Sequence, residues 1–132
     1  MNGDDFIQLA GKLATHSDPA ALRSAVSRAY YGAFHLAGEF LADIDRPVPR
    51  NANAHVFVAR TLQGSGHPDA RRAGSLLGDL HSDRIKADYR LDDSRVETSA
   101  FARVSVETAH EIRSALDQCR QEPARSQIQA SL

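Results

Sequence analysis

Three residues in one long apolar segment have side chains that could act together on a phosphate ester: Arg28, Tyr31 and His35. Arg28 and His35 are seven residues apart. Seven helical steps of about 100° come within roughly 20° of two full turns, so both side chains leave the same face of a helix. Tyr31 lies on that face, one turn after Arg28. The axial separation of about 10 Å leaves room for a phosphodiester between the guanidinium and the imidazole.

These residue types permit cleavage of RNA without a metal. Histidine ordinarily titrates near neutrality, so His35 could take the proton of a ribose 2′-hydroxyl or give one to the leaving 5′-oxygen. The Arg28 guanidinium matches a phosphate and its developing charge. The Tyr31 ring could position the phosphate or stack on a base. The plainer interpretation is an ion pair at Arg28 and an ordinary half-buried helix residue at His35, since long helices often place polar residues in register.

A second polar segment contains His81, Arg84 and Asp88 at i, i+3, i+7 spacing, which places them on one face of a helix. Arg84 and Asp88 can pair at i, i+4, and the plain interpretation is a weak surface ion pair. No second carboxylate or imidazole stands at ligand spacing from His81 and Asp88, so we expect no metal and no cofactor. Cys119 is the one cysteine, so no intrachain disulfide can form, and it falls on an apolar helical register.

Apolar residues at helical spacing, with breakers between them, predict four or five helices and no strands. Asp18 is a natural N-cap and Pro19 a natural first residue for a long helix that nothing interrupts until about Asp43. Ser94 and Glu97 form an S-x-x-E pattern, which predicts a capping box for the last helix. The predicted helices cover about 4–14, 19–43, 53–62, 69–89 and 95–119.

Short loops between these helices predict a single all-α domain, an up-and-down antiparallel bundle. The domain is expected to span residues 1–121, and residues 122–132 are expected to be a flexible tail. The long helix has more large apolar surface than one small bundle easily covers, which predicts a two-fold homodimer. The large apolar residues in question are Tyr30, Tyr31, Phe34 and Phe40.

The net charge of the 132-residue chain is −1, so any anionic partner must be held by a local cluster of arginine and histidine. The N-terminus has acidic residues and no apolar core of the signal-peptide type. No apolar run approaches the roughly 20 residues that a membrane span needs. We therefore expect a cytoplasmic protein without a membrane partner.

Two sequence motifs, at residues 27–35 and 84–89, resemble motifs that occur in the same order in the toxin- and defence-associated group of the HEPN superfamily. The segment 27–35, Ser-Arg-Ala-Tyr-Tyr-Gly-Ala-Phe-His, is similar to the family pattern S-R-x-Y-Y-x-x-F-H. The segment 84–89, Arg-Ile-Lys-Ala-Asp-Tyr, is similar to R-x-x-A-D-Y. The resemblance covers about residues 20–120.

The resemblance implies a metal-independent ribonuclease site in a cleft between two helical bundles, formed by an Arg and a His with four to six residues between them. Arg28 and His35, with six between, fit that spacing, and Tyr31 joins them. Ala29 departs from the Asn, Asp or His that commonly follows the arginine. The supporting or substrate-binding residues that the resemblance implies are Arg84, Asp88, Tyr89 and, as a loose match, His55.

RNA is therefore the expected substrate. The resemblance also implies a toxin-like role in a toxin–antitoxin or defence system, with a nucleotidyltransferase-type antitoxin as the partner protein. Two alternatives stay open at this point. The same cleft could hold RNA or a nucleotide without cutting it, as a regulatory module partnered with a nucleotidyltransferase, or the polar stripe could serve only as a dimer seam.

Overall fold

Six α-helices and one short 3-10 helix form the computed structural model, which describes all 132 residues. The chain contains no strand, so the all-α prediction is confirmed. The helices are α1 (Gly3–Leu13), α2 (Pro19–Asp43), α3 (Ala54–Gln63), α4 (Pro68–Tyr89), the 3-10 helix (Ser94–Glu97), α5 (Ser99–Arg120) and α6 (Ala124–Ser131). No helix combines the length and the apolar composition that crossing a membrane requires.

The ends of α2 follow from local chemistry. The Asp18 carboxylate accepts a hydrogen bond from the Ala20 amide at 3.2 Å, and Pro19 is the first helical residue, as predicted. At the other end Asp45 adopts a left-handed conformation with φ 64°, which Asp tolerates better than most residues. The Arg46 amide then donates to the Leu41 carbonyl at 2.8 Å. This Schellman-type arrangement ends the helix and directs the following loop back along it.

Helix α2 is the centre of the bundle and packs against α1, α4 and α5. Tyr30 and Phe40 are completely buried within the single chain, and Tyr31 and Phe34 are half-buried against the core. The aromatic surface that predicted a dimer is therefore largely covered by the chain's own helices. The homodimer stays a prediction, and the aromatic surface of α2 no longer supports it.

Helices α1 and α2 approach each other closely where two glycines face one another. A Cβ atom added to Gly32 would lie 2.5 Å from Ile7 Cγ1 and 2.6 Å from the Gly3 carbonyl oxygen. Because glycine has no side chain, the backbones of α1 and α2 come into contact here. Any other residue at these positions would push the two helices apart. This contact places Phe6 of α1 beside the Arg28–His35 stripe of α2.

The last long helix starts differently from the prediction. Thr98 is its N-cap and accepts a hydrogen bond from the Phe101 amide at 3.1 Å. Ser94–Glu97 is a 3-10 turn, and the Glu97 carboxylate pairs with Arg23 of α2 at 2.7 Å. The predicted capping box of Ser94 and Glu97 is therefore wrong, because a long-range ion pair takes the glutamate that the box needed.

The C-terminal segment also differs from the prediction. Residues 124–131 form α6, and Ile128 is completely buried in the main core. The Arg125 side chain donates to the Asp43 carbonyl at 2.8 Å, and the Gln129 amide donates to the Ile44 carbonyl at 3.4 Å. Ile128 is one apolar residue in a polar segment, so the sequence gives little indication of a helix that packs on the core. In the structure its burial helps to attach the segment to the end of α2.

Candidate functional site

Arginine, tyrosine and histidine side chains gather where the middle of α2 meets the start of α3 and the second half of α4. We divide this cluster into two layers. The inner layer is mostly covered and consists of Tyr30, His55, His81 and Arg84. The outer layer reaches solvent and consists of Phe6, Arg28, Tyr31 and His35.

The inner layer is held by one hydrogen bond and by stacking. The Tyr30 hydroxyl lies 2.5 Å from Nδ1 of His55. The imidazoles of His55 and His81 stack nearly parallel, with ring centres 5.2 Å apart and 9° between their planes. The Tyr30 ring lies 5.1 Å from that of His81. Three rings from three helices thus form one packed unit.

Burial sets the protonation of these rings. It raises the pKa of Tyr30 far above its ordinary value, so the hydroxyl keeps its proton in the hydrogen bond that it forms with His55 Nδ1. The pKa of His55 is lowered by burial and then by the charges of Arg84 and His35. The pKa of His81 is lowered by burial and then by His55 and Arg84. Both imidazoles are therefore neutral at neutral pH.

Arg84 is 7% exposed and makes no hydrogen bond within the chain. Its Nε is buried without a partner, and its Nη1 lies 3.6 Å from the Asp88 carboxylate, beyond hydrogen-bonding distance. That carboxylate instead accepts a hydrogen bond from the Ser27 hydroxyl at 3.0 Å. The guanidinium rests on the rings of Tyr31 and Tyr89, at 5.1 and 5.9 Å from their centres. A buried guanidinium with free donors is suited to receive an anion.

Arg28 approaches the same tyrosine from its own position on α2. Its guanidinium carbon lies 5.0 Å from the centre of the Tyr31 ring and 4.8 Å from that of Phe6. Its one polar contact within the chain is with the Ser27 hydroxyl at 3.5 Å, and no carboxylate pairs with it. Arg28 and Arg84 thus both contact Tyr31 while most of their hydrogen-bond donors remain free.

His35 is exposed and makes no hydrogen bond within the chain. Its ring packs on Phe34 at 5.4 Å and on Phe6 at 6.0 Å between ring centres. Phe6 therefore contacts both Arg28 and His35, and an apolar ring borders the space in which the sequence predicts a phosphate.

The predicted site residues occupy four kinds of position. His35 is exposed and packs on Phe6 and Phe34. Arg28, Tyr31, Arg84 and Asp88 come together at one side of the cluster, and His55 belongs to the inner layer. Tyr89 is 70% exposed and reaches the cluster only through Arg84.

Four residues of the site were missed or given another role in the sequence analysis. Phe6 was not singled out, and Ser27 appeared only as the first residue of the motif at 27–35. Tyr30 was assigned to the apolar surface of α2, although its hydroxyl holds His55. His81 was placed only on a helical face with Arg84 and Asp88 and rejected as a metal ligand, although it stacks on His55.

No group of three or more His, Cys, Asp or Glu side chains lies close enough together to hold a metal ion. Searches of protein-family models, curated proteins and solved structures found no match to this chain. The resemblance to the HEPN superfamily accordingly rests on the two motifs, at residues 27–35 and 84–89.

Proposed function

We propose that this chain is a metal-independent endoribonuclease of the HEPN type and that the scissile phosphate binds beside Tyr31, between Arg28 and Arg84. The observation that carries the proposal is the Arg84 guanidinium, buried with its hydrogen-bond donors unused. Burial of guanidinium donors without acceptors is costly, and a phosphate would supply those acceptors and a second negative charge beside that of Asp88. Arg28 adds a second guanidinium on the same ring.

The reaction is an internal transesterification. The ribose 2′-oxygen attacks phosphorus, the bond from phosphorus to the 5′-oxygen breaks, and the products are a 2′,3′-cyclic phosphate and a 5′-hydroxyl. One group must take the 2′-hydroxyl proton and a second must protonate the 5′-oxygen. His81, neutral and without a hydrogen-bond partner, is available to take the 2′-hydroxyl proton, and His35 then protonates the 5′-oxygen. The two guanidiniums stabilise the charge that develops on the phosphate oxygens.

On the resemblance alone, we also propose the setting of this activity. The chain acts as a toxin-like component of a toxin–antitoxin or defence system. It works in the cytoplasm as a two-fold homodimer and is paired with a nucleotidyltransferase-type antitoxin protein.

A second candidate function is an inactive module that binds RNA or a nucleotide. The contact of Phe6 with both Arg28 and His35 favours it, because an apolar ring at that place separates the phosphate-binding group from the proton-transfer group. No hydrogen bond fixes the His35 ring in one orientation either.

Alanine variants at Arg28 and His35 test the proposal. Each should reduce cleavage of single-stranded RNA by about 100-fold or more, with EDTA present throughout. His35→Ala should still bind RNA. Arg28→Ala should bind more weakly and with a shallower salt dependence, since it loses one phosphate contact. The matched controls are His16→Ala and Arg103→Ala, two exposed residues on other parts of the chain, which should leave cleavage unchanged.

The outcomes separate the alternatives. Wild-type protein that binds RNA and leaves it intact would establish the binding module. Protein that neither binds nor cuts RNA would leave the polar cluster with a structural role. Cleavage that survives in both variants would show that the catalytic pair is wrong, and Arg84 with His81 would be tested next.

A further inference from the structure

A groove of about 650 Å³ opens beside His35, between the second half of α2, the loop that follows it and the start of α3. A volume of this size suits a small organic ligand such as a single nucleotide. Its wall is largely apolar. The apolar residues of this wall are Phe34, Ala42, Pro47, Val48, Pro49 and Ala54.

Three polar side chains border this groove: His35, Glu39 and Arg50. All three are exposed, and none makes a hydrogen bond or an ion pair within the chain. The fold therefore does not use the Glu39 carboxylate or the Arg50 guanidinium. An apolar wall with a few convergent polar groups is typical of a ligand site.

A second groove, of about 510 Å³, lies on the other side of the same two residues. It is formed by the N-terminus of the chain and Phe6, and it shares His35 and Glu39 with the first groove. Those two residues, one helical turn apart on α2, form a ridge between the grooves. A strand of RNA that crosses the ridge would place one nucleotide on each side and bring a phosphodiester to His35.

We infer that the groove lined by Pro47–Pro49 is a subsite for one RNA nucleotide and that Glu39 selects guanine there. This inference rests on the proposed ribonuclease function and names the substrate class of that site. Guanine presents N1–H and the 2-amino group side by side, which match the two oxygens of a carboxylate. Uracil presents a single N–H between two carbonyl oxygens, which would repel Glu39. The base stacks on the apolar wall, and Arg50 binds the adjoining phosphate.

The loop that forms this wall is held in place by the rest of the chain. The Arg46 side chain donates to the Leu132 carbonyl, and Gln129 of α6 donates to the Ile44 carbonyl. At Gly38 of α2 a Cβ atom would lie 3.4 Å from Val48, within van der Waals contact, so the loop packs closely on the helix there. The subsite is thus formed before any ligand arrives, which lowers the cost of binding.

Guanosine and inosine 5′-monophosphates test the subsite by calorimetric titration, because inosine lacks only the 2-amino group. Wild-type protein should bind the guanosine nucleotide at least about fivefold more tightly, the smallest gain expected of a good bidentate contact. Glu39→Gln should bring the ratio close to one, since the amide keeps a single acceptor. Glu107→Gln on α5, an exposed glutamate remote from the groove, should keep the wild-type ratio. Arg50→Ala should weaken both nucleotides and keep their ratio.

RNA oligonucleotides with guanosine, inosine or uridine at one position extend the test to cleavage, with circular dichroism to verify that each variant is folded. Cleavage without preference among the three bases, together with equal binding of the two nucleotides, would overturn the subsite and leave the ribonuclease proposal intact. Selective nucleotide binding without any cleavage would overturn the ribonuclease and retain the guanine site. An equal loss of cleavage on all three bases in Glu39→Gln, with binding selectivity kept, would assign Glu39 to proton transfer and refute its role in selection.

Discussion

Arg84 shows how much of a site depends on what surrounds a single side chain. Its guanidinium is buried against Tyr30, Tyr31 and Tyr89, and its Nε has no acceptor. Each cation–π contact is worth about 0.5–2 kcal/mol, which compensates only part of the cost of withdrawing a charge from water. These rings and the Asp88 carboxylate, 3.6 Å away, stabilise the positive charge of Arg84. The N–H donors of its guanidinium stay free of hydrogen bonds. The residue is stable enough to stay buried and still able to bind an anion.

The stacked pair of His55 and His81 makes the fold sensitive to acid. Their pKa values are lowered by burial, and in the unfolded chain both return to about 6.5. Above about pH 6.5 neither state binds the protons, and the stability is fully present. As the pH falls below that value, the unfolded state binds protons that the folded state does not bind, so the free energy of unfolding decreases. The decrease ends once the pH is below the pKa values of the two histidines in the folded state. Urea unfolding between pH 8 and pH 4.5 measures this profile.

Replacing both residues with glutamine should flatten the part of the profile that lies below about pH 6.5. The change in slope is the readout, because the substitutions themselves also alter the absolute stability. His16→Gln, at an exposed histidine, is the control and should keep the wild-type slope. A double variant with an unchanged slope would show that these imidazoles titrate equally in the folded and unfolded chains.

The sequence alone could place Arg28 and Tyr31 together, because both lie on one helix whose geometry is known in advance. It could not place His55 beneath Tyr30, since that contact depends on how α3 docks against α2 and α4. Arg84 and Asp88 were expected to form a surface pair, yet Arg84 is buried. Whether a polar helical face meets solvent or a neighbouring helix is decided by packing and cannot be read from the spacing of the residues.

At the scale of elements, the buried Arg23 connects α2 to the C-terminus of α4 and to the segment that joins α4 to α5. The Arg23 side chain is 9% exposed, and its Nε pairs with Glu97 at 2.7 Å. Its other nitrogens donate to backbone carbonyls at and beyond the C-terminus of α4. These acceptors are the carbonyls of Lys86, Ala87, Arg90, Leu91 and Asp93.

Arg23→Met should lower the free energy of unfolding by about 3–5 kcal/mol, the range seen when one partner of a buried charged network is removed. Methionine keeps most of the apolar stem, so the loss reports the hydrogen bonds and the ion pair. Urea denaturation with linear extrapolation measures it. Arg95→Met is the matched control: the Arg95 side chain is 79% exposed and pairs only with Asp93, two residues earlier, so its loss should change little. Similar losses in the two variants would contradict the role given to Arg23.

The elements themselves were largely predictable, because α2 has a local start signal in Asp18 and Pro19 and no internal breaker. The start of α5 was not, since the choice between Ser94 and Thr98 as N-cap depends on where Arg23 holds Glu97. Nothing near Arg23 in the sequence distinguishes it from the exposed arginines. A long-range partner therefore overrides a local capping pattern, and such partners become visible only in three dimensions.

Across the whole molecule, α6 extends the domain to the end of the chain. Its side chains bind the backbone at the end of α2, and Ser131 lies 3.3 Å from the buried Ser65 between α3 and α4. Since the loop after α2 forms the wall of the proposed nucleotide groove, α6 supports that groove from behind. Residues 122–132 were expected to be flexible because their composition is polar. Composition alone does not show that a single isoleucine, Ile128, is buried in the core.

Ile128→Ala tests whether α6 belongs to the cooperative fold. Ile128 is completely buried, so its truncation should cost about 2–5 kcal/mol of unfolding free energy, from lost burial and the cavity that remains. Gln127→Ala, at the exposed neighbouring position, should cost little, and comparison of the two by urea denaturation isolates the packing contribution. Equal stability of both variants would mean that α6 detaches before the bundle unfolds. In that event the loop after α2 would lose its anchor as well, and nucleotide binding in the groove should weaken in Ile128→Ala while the inner layer of histidines stays intact.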